Sequence, residues 1–301
     1  MIPEAEAEII PVNIKTQKTE EEPTMNFFDS FAPADELPLE RPVPVGGGMC
    51  SIFRTIGCVG DSLASGEFEV RLPAAPEGSD PAVLAVHGQT VYLDMFEHSW
   101  GQHLARMAGC KVYNFSRGGM TASEYCQTFG EANGFWDADK ACQAYIVGLG
   151  VNDVINARQP MGSMADVCDD WHRNANTFAG WYGQLLARLR EIQPDAVLFL
   201  ITMPQADEWN RSGVREIVEA HRALMYEMAA HFGNAYVLDL YRYAPVHDKA
   251  YTDAFYMGGH LSPVGYRIAA EQIVSYIDYI VRHDPAAFRQ VGLIGTPYYQ
   301  H

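Results

Sequence analysis

The chain reads Val197-Leu198-Phe199-Leu200-Ile201 in its second half, an apolar run without the polar alternation of a half-exposed strand. Such a run is typical of a strand that is buried on both faces, as in a parallel sheet covered by helices. We expect this strand over residues 196–202. Four similar runs lie at residues 55–60, 111–115, 144–149 and 235–240. The sequence therefore predicts five buried parallel strands.

Helical patterns lie between and after these strands. Apolar side chains recur every three or four residues over 166–192 and over 214–232, and Ser262 followed by Pro263 is a favourable helix start. Alternating strands and helices predict a three-layer α/β/α fold around one parallel sheet. Residues 67–90 contain three prolines and two glycines, which predicts an inserted loop or small hairpin after the first strand.

Charge divides the chain into two parts. The 301 residues carry a net charge of −17, which argues against nucleic acid or an anionic membrane as a partner. Residues 1–46 hold ten acids, three bases and seven prolines. We interpret 1–48 as an acidic, proline-rich N-terminal extension and 49–301 as the folded domain. The extension is expected to be a solvated arm; the alternative is an arm that wraps the domain or a sister subunit of a homo-oligomer.

The sequence also bears on compartment and metal content. It begins Met-Ile-Pro-Glu-Ala-Glu, without the basic start and apolar run of a secretory signal. None of the six cysteines forms a C-x-x-C pair, which argues against a zinc ribbon or a redox motif. We expect a cytoplasmic protein without a metal or cofactor.

Four residues with catalytic chemistry follow predicted strands. They are Ser62 in G-D-S-L, Gly119 in a glycine turn, Asn152 in G-V-N-D, and His260 in a glycine-rich loop before the last helix. Each has a simple structural alternative: a capping serine, a strand-to-helix turn, an Asx turn and a surface histidine. Their common position favours catalysis, because ligands bind at the carboxyl ends of parallel strands. The G-x-S-x-G elbow of α/β-hydrolases is absent.

This set resembles the SGNH hydrolase superfamily, the GDSL esterases and lipases. The matching blocks lie within about residues 55–283: G-D-S at Ser62, N-x-x-x-x-G-x-T at Gly119, G-x-N-D at Asn152, and a histidine near the carboxyl end, His260. The resemblance implies a flavodoxin-like five-stranded parallel sheet and a metal-free serine ester hydrolase. It also implies an oxyanion hole made of the Ser62 and Gly119 N–H groups and the Asn152 side chain.

One residue departs from the family pattern. The family usually has an aspartate three residues before the histidine, where this chain has Met257. Three explanations are open: another acid orients His260, a backbone carbonyl does so in a Ser–His dyad, or the enzyme is impaired. Among the acids we place Asp253 first, with Asp239 and Asp248 behind it.

The substrate is predicted less sharply than the reaction. Aromatic residues, Trp209 and Tyr256 among them, follow the last two strands and are candidates for substrate binding, although such rings also serve ordinary packing. We expect a small-molecule or carbohydrate ester with a short acyl group, as for an acetylesterase. The alternatives are a lysophospholipase or thioesterase, an acyltransferase, and a non-catalytic carbohydrate-binding module on the same fold.

Overall fold

A computed structural model of the protein describes residues 46–80, 88–211 and 213–300. Its central sheet has five parallel strands in the spatial order β4-β1-β5-β6-β7. The strands in chain order are β1 Thr55–Gly60, β2 Glu67–Arg71, β3 Thr90–Asp94, β4 Lys111–Ser116, β5 Ala144–Gly148, β6 Val197–Ile201, β7 Ala235–Leu238, β8 Tyr256–Met257 and β9 His260–Leu261. All five predicted strands are present, with ends that differ from the prediction by at most two residues.

Helices cover both faces of this sheet. They are α1 Ser62–Ser65, α2 Trp100–Ala108, α3 Ala122–Glu124, α4 Gly130–Ala132, α5 Phe178–Ile192, α6 Val214–Phe232, α7 Leu240–Tyr243, α8 Lys249–Phe255 and α9 Pro263–His283. Successive side chains of β6 enter opposite cores: Phe199 packs with the core of α2 and α9, and Leu198 with the core of α5 and α6. Burial on both faces explains why the strand is apolar throughout. The predicted three-layer α/β/α architecture is confirmed.

The helix predicted over 166–192 is shorter than expected. Thr177 has an extended backbone and its Oγ1 accepts a hydrogen bond from Gly180 N at 3.1 Å, so α5 begins only at Phe178. The preceding segment forms two short 3₁₀ turns, Met164–Asp166 and Trp171–Arg173. Apolar spacing alone did not reveal this cap. The other two predicted helices are α6 and α9, and Ser262 caps α9 as expected.

Two small hairpins stand beside the carboxyl edge of the sheet. Strands β2 and β3 pair antiparallel, with Glu67 opposite Asp94, and β8 pairs with β9, with Met257 opposite His260. The segment after the first strand thus contains a hairpin, one of the two forms expected for it. Residues 81–87 of that segment lie outside the described residues.

Most of the predicted N-terminal extension, residues 1–45, also lies outside the described residues. In the part of the chain that the structure describes, no helix combines the length and the apolar character needed to cross a bilayer. The six cysteines are free thiols.

Candidate active site

Ser62 stands at a sharp turn between β1 and α1. Gly60 ends the strand, and a Cβ there would lie 2.6 Å from Ala64 Cβ, so the turn requires glycine. Asp61 caps α1 by accepting a hydrogen bond from Leu63 N at 3.1 Å. The half-buried Ser62 is therefore the first residue of a short helix at the carboxyl end of a central strand. A hydroxyl in this place faces the edge where ligands bind.

Gly119 and Asn152 follow the strands on either side of β1. Gly119 has φ +71°, a left-handed conformation that favours glycine. Asn152 Nδ2 lies 3.2 Å from Met120 O and 3.4 Å from Asp61 Oδ2. The amide of Asn152 therefore bridges the turns that carry Gly119 and Ser62. Nδ2 is a donor of the kind that an oxyanion hole needs.

Asp153, which follows Asn152, connects the turn after β5 to the residues that follow Gly119. It is fully buried, and its Oδ1 accepts a hydrogen bond from Ala122 N at 2.8 Å, just after the Gly119 turn. Burial raises the pKa of Asp153 to about 7 and that of Asp61 to about 6. Each carboxyl is thus held where its charged form is disfavoured, and a shared network ties together the three turns after β1, β4 and β5.

His260 lies on β9 and faces two carboxylates of β2. Its Nε2 is 3.0 Å from Glu67 Oε1 and its Nδ1 is 3.5 Å from Glu69 Oε2. The side chains of His260 and Glu67 are 15% and 13% exposed. Glu69 Oε2 also accepts a hydrogen bond from Gly259 N at 2.6 Å, which fixes the loop before the histidine. Burial raises the pKa of Glu67, and the nearby His260 opposes that rise.

The acids chosen from the sequence lie elsewhere. Asp253, on α8, is 63% exposed, and both its carboxylate oxygens accept hydrogen bonds from Lys249 Nζ. Asp239 is fully buried and is held by Arg222 and the Tyr226 hydroxyl. Asp248 caps α8 through Tyr251 N.

The structure therefore corrects the choice of Asp253 as the partner of His260. That choice used distance along the chain, whereas the acids beside the imidazole come from a hairpin almost 200 residues earlier. Glu67 and Glu69 were missed. The signal was the alternating Glu-Phe-Glu of residues 67–69, which places both carboxylates on one face of a strand shortly after Ser62.

A cavity of about 800 Å³ brings the predicted residues together. Its wall includes the four residues chosen for catalysis and both residues chosen for substrate binding: Ser62, Gly119, Asn152, His260, Trp209 and Tyr256. Asp253 is not part of the wall. The cavity also contains five carboxylates, Asp61, Glu67, Asp207, Glu208 and Asp248, with the cations Arg211 and Lys249. The site is therefore large, and its charged side chains are predominantly acidic.

One side of this cavity carries a second histidine that the sequence reasoning did not select. His247 Nδ1 lies 2.9 Å from Tyr256 Oη, and the imidazole stacks on Tyr251 with ring centroids 4.3 Å apart. Burial lowers the pKa of His247 to about 4, so this imidazole is neutral at pH 7. It fixes the orientation of Tyr256, one of the predicted substrate-binding residues.

An apolar recess of about 120 Å³ adjoins the cavity. Leu63, Val151 and Tyr256 line both spaces. Among the described residues, no three His, Cys, Asp or Glu side chains are grouped so as to hold a metal ion.

Comparison with known proteins gives a matching family and similar solved structures. The model of the GDSL-like Lipase/Acylhydrolase family matches residues 58–268. None of the curated proteins matches the chain. Among solved structures, a protein from Lactobacillus plantarum is 18% identical, with a TM-score of 0.51, over 75% of this chain and 97% of its own. This similarity shows the fold.

Two further structures are similar at a lower TM-score. A protein described as a GDSL-like lipase from Bacteroides uniformis is 19% identical, with a TM-score of 0.46, over 73% of this chain and 93% of its own. A family two carbohydrate esterase from Clostridium thermocellum, solved with cellohexaose, is 16% identical, with a TM-score of 0.48, over 76% of this chain and 64% of its own.

Proposed function

Because the chain belongs to the GDSL-like lipase/acylhydrolase family of the SGNH hydrolase superfamily, we propose that it is a serine ester hydrolase that works through an acyl-enzyme. The observation that supports this proposal is the common cavity. Four separate segments of the chain each contribute one residue to the wall of this cavity: Ser62, Gly119, Asn152 and His260. A nucleophile, a base and oxyanion donors are the groups that acyl transfer needs.

In the proposed mechanism, His260 takes the hydroxyl proton of Ser62 while Oγ forms a bond to the ester carbonyl carbon. The carbonyl oxygen becomes an oxyanion, which accepts hydrogen bonds from the N–H groups of Ser62 and Gly119 and from Asn152 Nδ2. The long 3.4 Å contact of Nδ2 with Asp61 is the one that the oxyanion replaces. The ester C–O bond then breaks, and His260 returns the proton to the leaving alcohol. Water then attacks the acyl carbon while His260 takes one of its protons. The bond between that carbon and Ser62 Oγ breaks, Oγ receives the proton from His260, and the carboxylic acid leaves.

For the alcohol side of the substrate, we propose a neutral, hydroxyl-rich group such as a sugar. The cavity wall holds five carboxylates and two cationic side chains, so it repels phosphate groups. This disfavours a lysophospholipid headgroup or a nucleotide-bearing thioester. Trp209 offers an aromatic face on the same wall. Together with a small acyl group, this makes an acetylesterase of carbohydrate or small-molecule esters our first choice.

A second candidate is an acyl hydrolase for longer chains. It is favoured by the apolar recess of about 120 Å³ beside Leu63 and Tyr256, which could take a hydrocarbon tail. Rates on p-nitrophenyl acetate and p-nitrophenyl octanoate separate the two candidates. The first predicts a higher kcat/KM for acetate; a clear preference for octanoate would select the second.

Turnover by the Ser62→Ala variant tests the reaction class. We expect loss of ester hydrolysis with an unchanged thermal unfolding curve, since Ser62 is at the surface of the cavity. Hydrolysis retained by this variant would refute the proposal. A wild-type protein that binds sugars but turns over none of the esters would favour the non-catalytic module, and acylated sugars as products would indicate an acyltransferase.

A further inference from the structure

Met257 leaves His260 without the acid that the family usually supplies. In the β8–β9 hairpin Met257 pairs directly with His260, and the residue is 39% exposed. A methionine thioether neither carries charge nor accepts a strong hydrogen bond. An imidazole that acts as base needs a partner that fixes its tautomer and stabilises its cation. The chemistry of the site therefore requires another group beside His260.

Glu67 is placed to be that group. Its Oε1 lies 3.0 Å from His260 Nε2, within hydrogen-bond distance, and both side chains are mostly buried. Glu69 is the next carboxylate in distance from the imidazole, but its Oε2 is 3.5 Å from Nδ1 and already accepts a hydrogen bond from Gly259 N. The three aspartates considered earlier are bound to other partners. Of the described carboxylates that contact the imidazole, that of Glu67 lies nearest to it.

The fold holds Glu67 in place relative to Ser62. The hydroxyl of the buried Tyr266 donates to the backbone carbonyl of Glu67 at 2.6 Å and lies 3.3 Å from that of Ser62. One side chain on α9 therefore anchors both ends of the turn. On the other side, a Cβ on Gly118 would lie 1.9 Å from Glu67 Oε2, so the carboxylate fits only against a glycine.

We propose that Glu67 is the positioning residue that orients His260, in the role that an aspartate at position 257 has in the family; this rests on Ser62 and His260 being the nucleophile and the base. The Glu67 carboxylate faces Nε2, and Glu69 Oε2 lies 3.5 Å from the other ring nitrogen, Nδ1. Nδ1 makes no hydrogen bond within the described residues. When the imidazole takes the proton of Ser62, the carboxylate stabilises the positive charge.

The charges around the pair fit this role. Glu69 on the same strand, Asp94 on β3 and Asp61 in the nucleophile turn all contribute negative charge near Glu67 or His260. These acids disfavour a further negative charge and favour a cation at the imidazole. An imidazolium formed during the reaction therefore meets a negative environment with Glu67 in direct contact.

The test compares Glu67→Gln, Glu67→Asp and Glu67→Ala with Asp253→Asn as a matched control. The substrate is whichever of p-nitrophenyl acetate and p-nitrophenyl octanoate the wild-type protein hydrolyses with the higher kcat/KM. We expect Glu67→Gln to lower kcat by about 10²–10⁴-fold with little change in KM, as for amide replacement of a triad acid. The acid limb of the kcat/KM profile should move to lower pH, because the imidazolium loses its counter-charge. Glu67→Asp should retain part of the rate, and formate should restore part of it to Glu67→Ala. The kcat of Asp253→Asn should stay within about two-fold of wild type, because Asp253 lies outside the cavity wall and an exposed ion pair contributes little.

The outcomes separate this proposal from the proposed function. If Ser62→Ala is inactive while Glu67→Gln keeps the wild-type rate and pH profile, Glu67 does not orient His260 but the serine mechanism stands. If Ser62→Ala retains the wild-type rate, the serine mechanism fails first. If the Glu67→Gln protein unfolds, Glu67→Asp and formate rescue of Glu67→Ala take its place in the comparison. A folded Glu67→Ala protein with the wild-type rate and pH profile would also overturn the proposal.

Discussion

A methyl group added at Gly118 should disconnect Glu67 from His260 without unfolding the protein. The backbone of Gly118 lies outside the left-handed region, so alanine suits its conformation. Its Cβ would lie 1.9 Å from Glu67 Oε2, whereas real Cβ contacts stay above 3.0 Å. Oε2 must therefore move by about 1 Å or more, and we expect this displacement of the carboxylate to lengthen the 3.0 Å contact between Oε1 and His260 Nε2 beyond hydrogen-bond distance.

The expected effect on rate exceeds the effect on stability. The end of a glutamate side chain moves at low cost. Replacing glycine by alanine where the backbone conformation is compatible stabilises the folded state by about 0.4–1 kcal/mol, because the unfolded chain has less conformational entropy. We expect the free energy of unfolding of Gly118→Ala to stay within about 1 kcal/mol of wild type. Loss of the Glu67 contact should lower kcat by about 10–10²-fold, part of the effect of a lost triad acid.

The assay is a double-mutant cycle. We would measure kcat, KM and thermal unfolding for Gly118→Ala, Glu67→Ala and the double variant. If Gly118→Ala acts by displacing Glu67, it should change kcat by less than about two-fold in the Glu67→Ala background. If the decreases in kcat of the two single variants are additive in the double variant, or if Gly118→Ala has the wild-type kcat, then Gly118 does not act by positioning the Glu67 carboxylate.

Three further predictions concern the turns around the site. Asn152→Ala should lower kcat by about 10²–10³-fold in steady-state kinetics, because an oxyanion donor is lost; a normal kcat would exclude that role. Tyr266→Phe should reduce the free energy of unfolding by about 0.5–1.5 kcal/mol in urea titrations, since the partly buried Glu67 carbonyl loses the hydroxyl that donates to it at 2.6 Å; no loss would contradict the anchoring role. Asp153 has a folded pKa of about 7 against 3.8 for its ordinary value, so the folded protein binds more protons between these pH values and loses stability as pH rises through them. The melting temperature should therefore fall less between pH 5 and pH 8 in Asp153→Asn than in wild type, and an equal fall would contradict this assignment.

The sheet was predictable because its strands are buried on both faces. In β6, Phe199 and Leu198 face different cores, and this two-sided burial excludes polar residues and marks the strand in the sequence. The start of α5 was not predictable from spacing, because the apolar pattern continues through the 3₁₀ turns before Thr177. A local hydrogen bond, the Thr177 cap, decides where the helix begins.

The candidate site, too, could be predicted from the sequence only in part. Ser62, Gly119 and Asn152 follow neighbouring parallel strands, so topology alone brings them together. The partner of His260 depends on a pairing between hairpins distant in sequence, and nothing local to the histidine indicates it. Asp253 is near His260 in the chain, but α8 directs it to Lys249 instead.

The central claim is that Ser62 is the nucleophile. The most direct test is to label the protein with a fluorophosphonate probe and locate the adduct by peptide mass spectrometry. The account predicts one adduct, on Ser62, absent in Ser62→Ala and formed more slowly in His260→Ala. An adduct on another residue, or an active wild-type enzyme that is not labelled at Ser62, would contradict it.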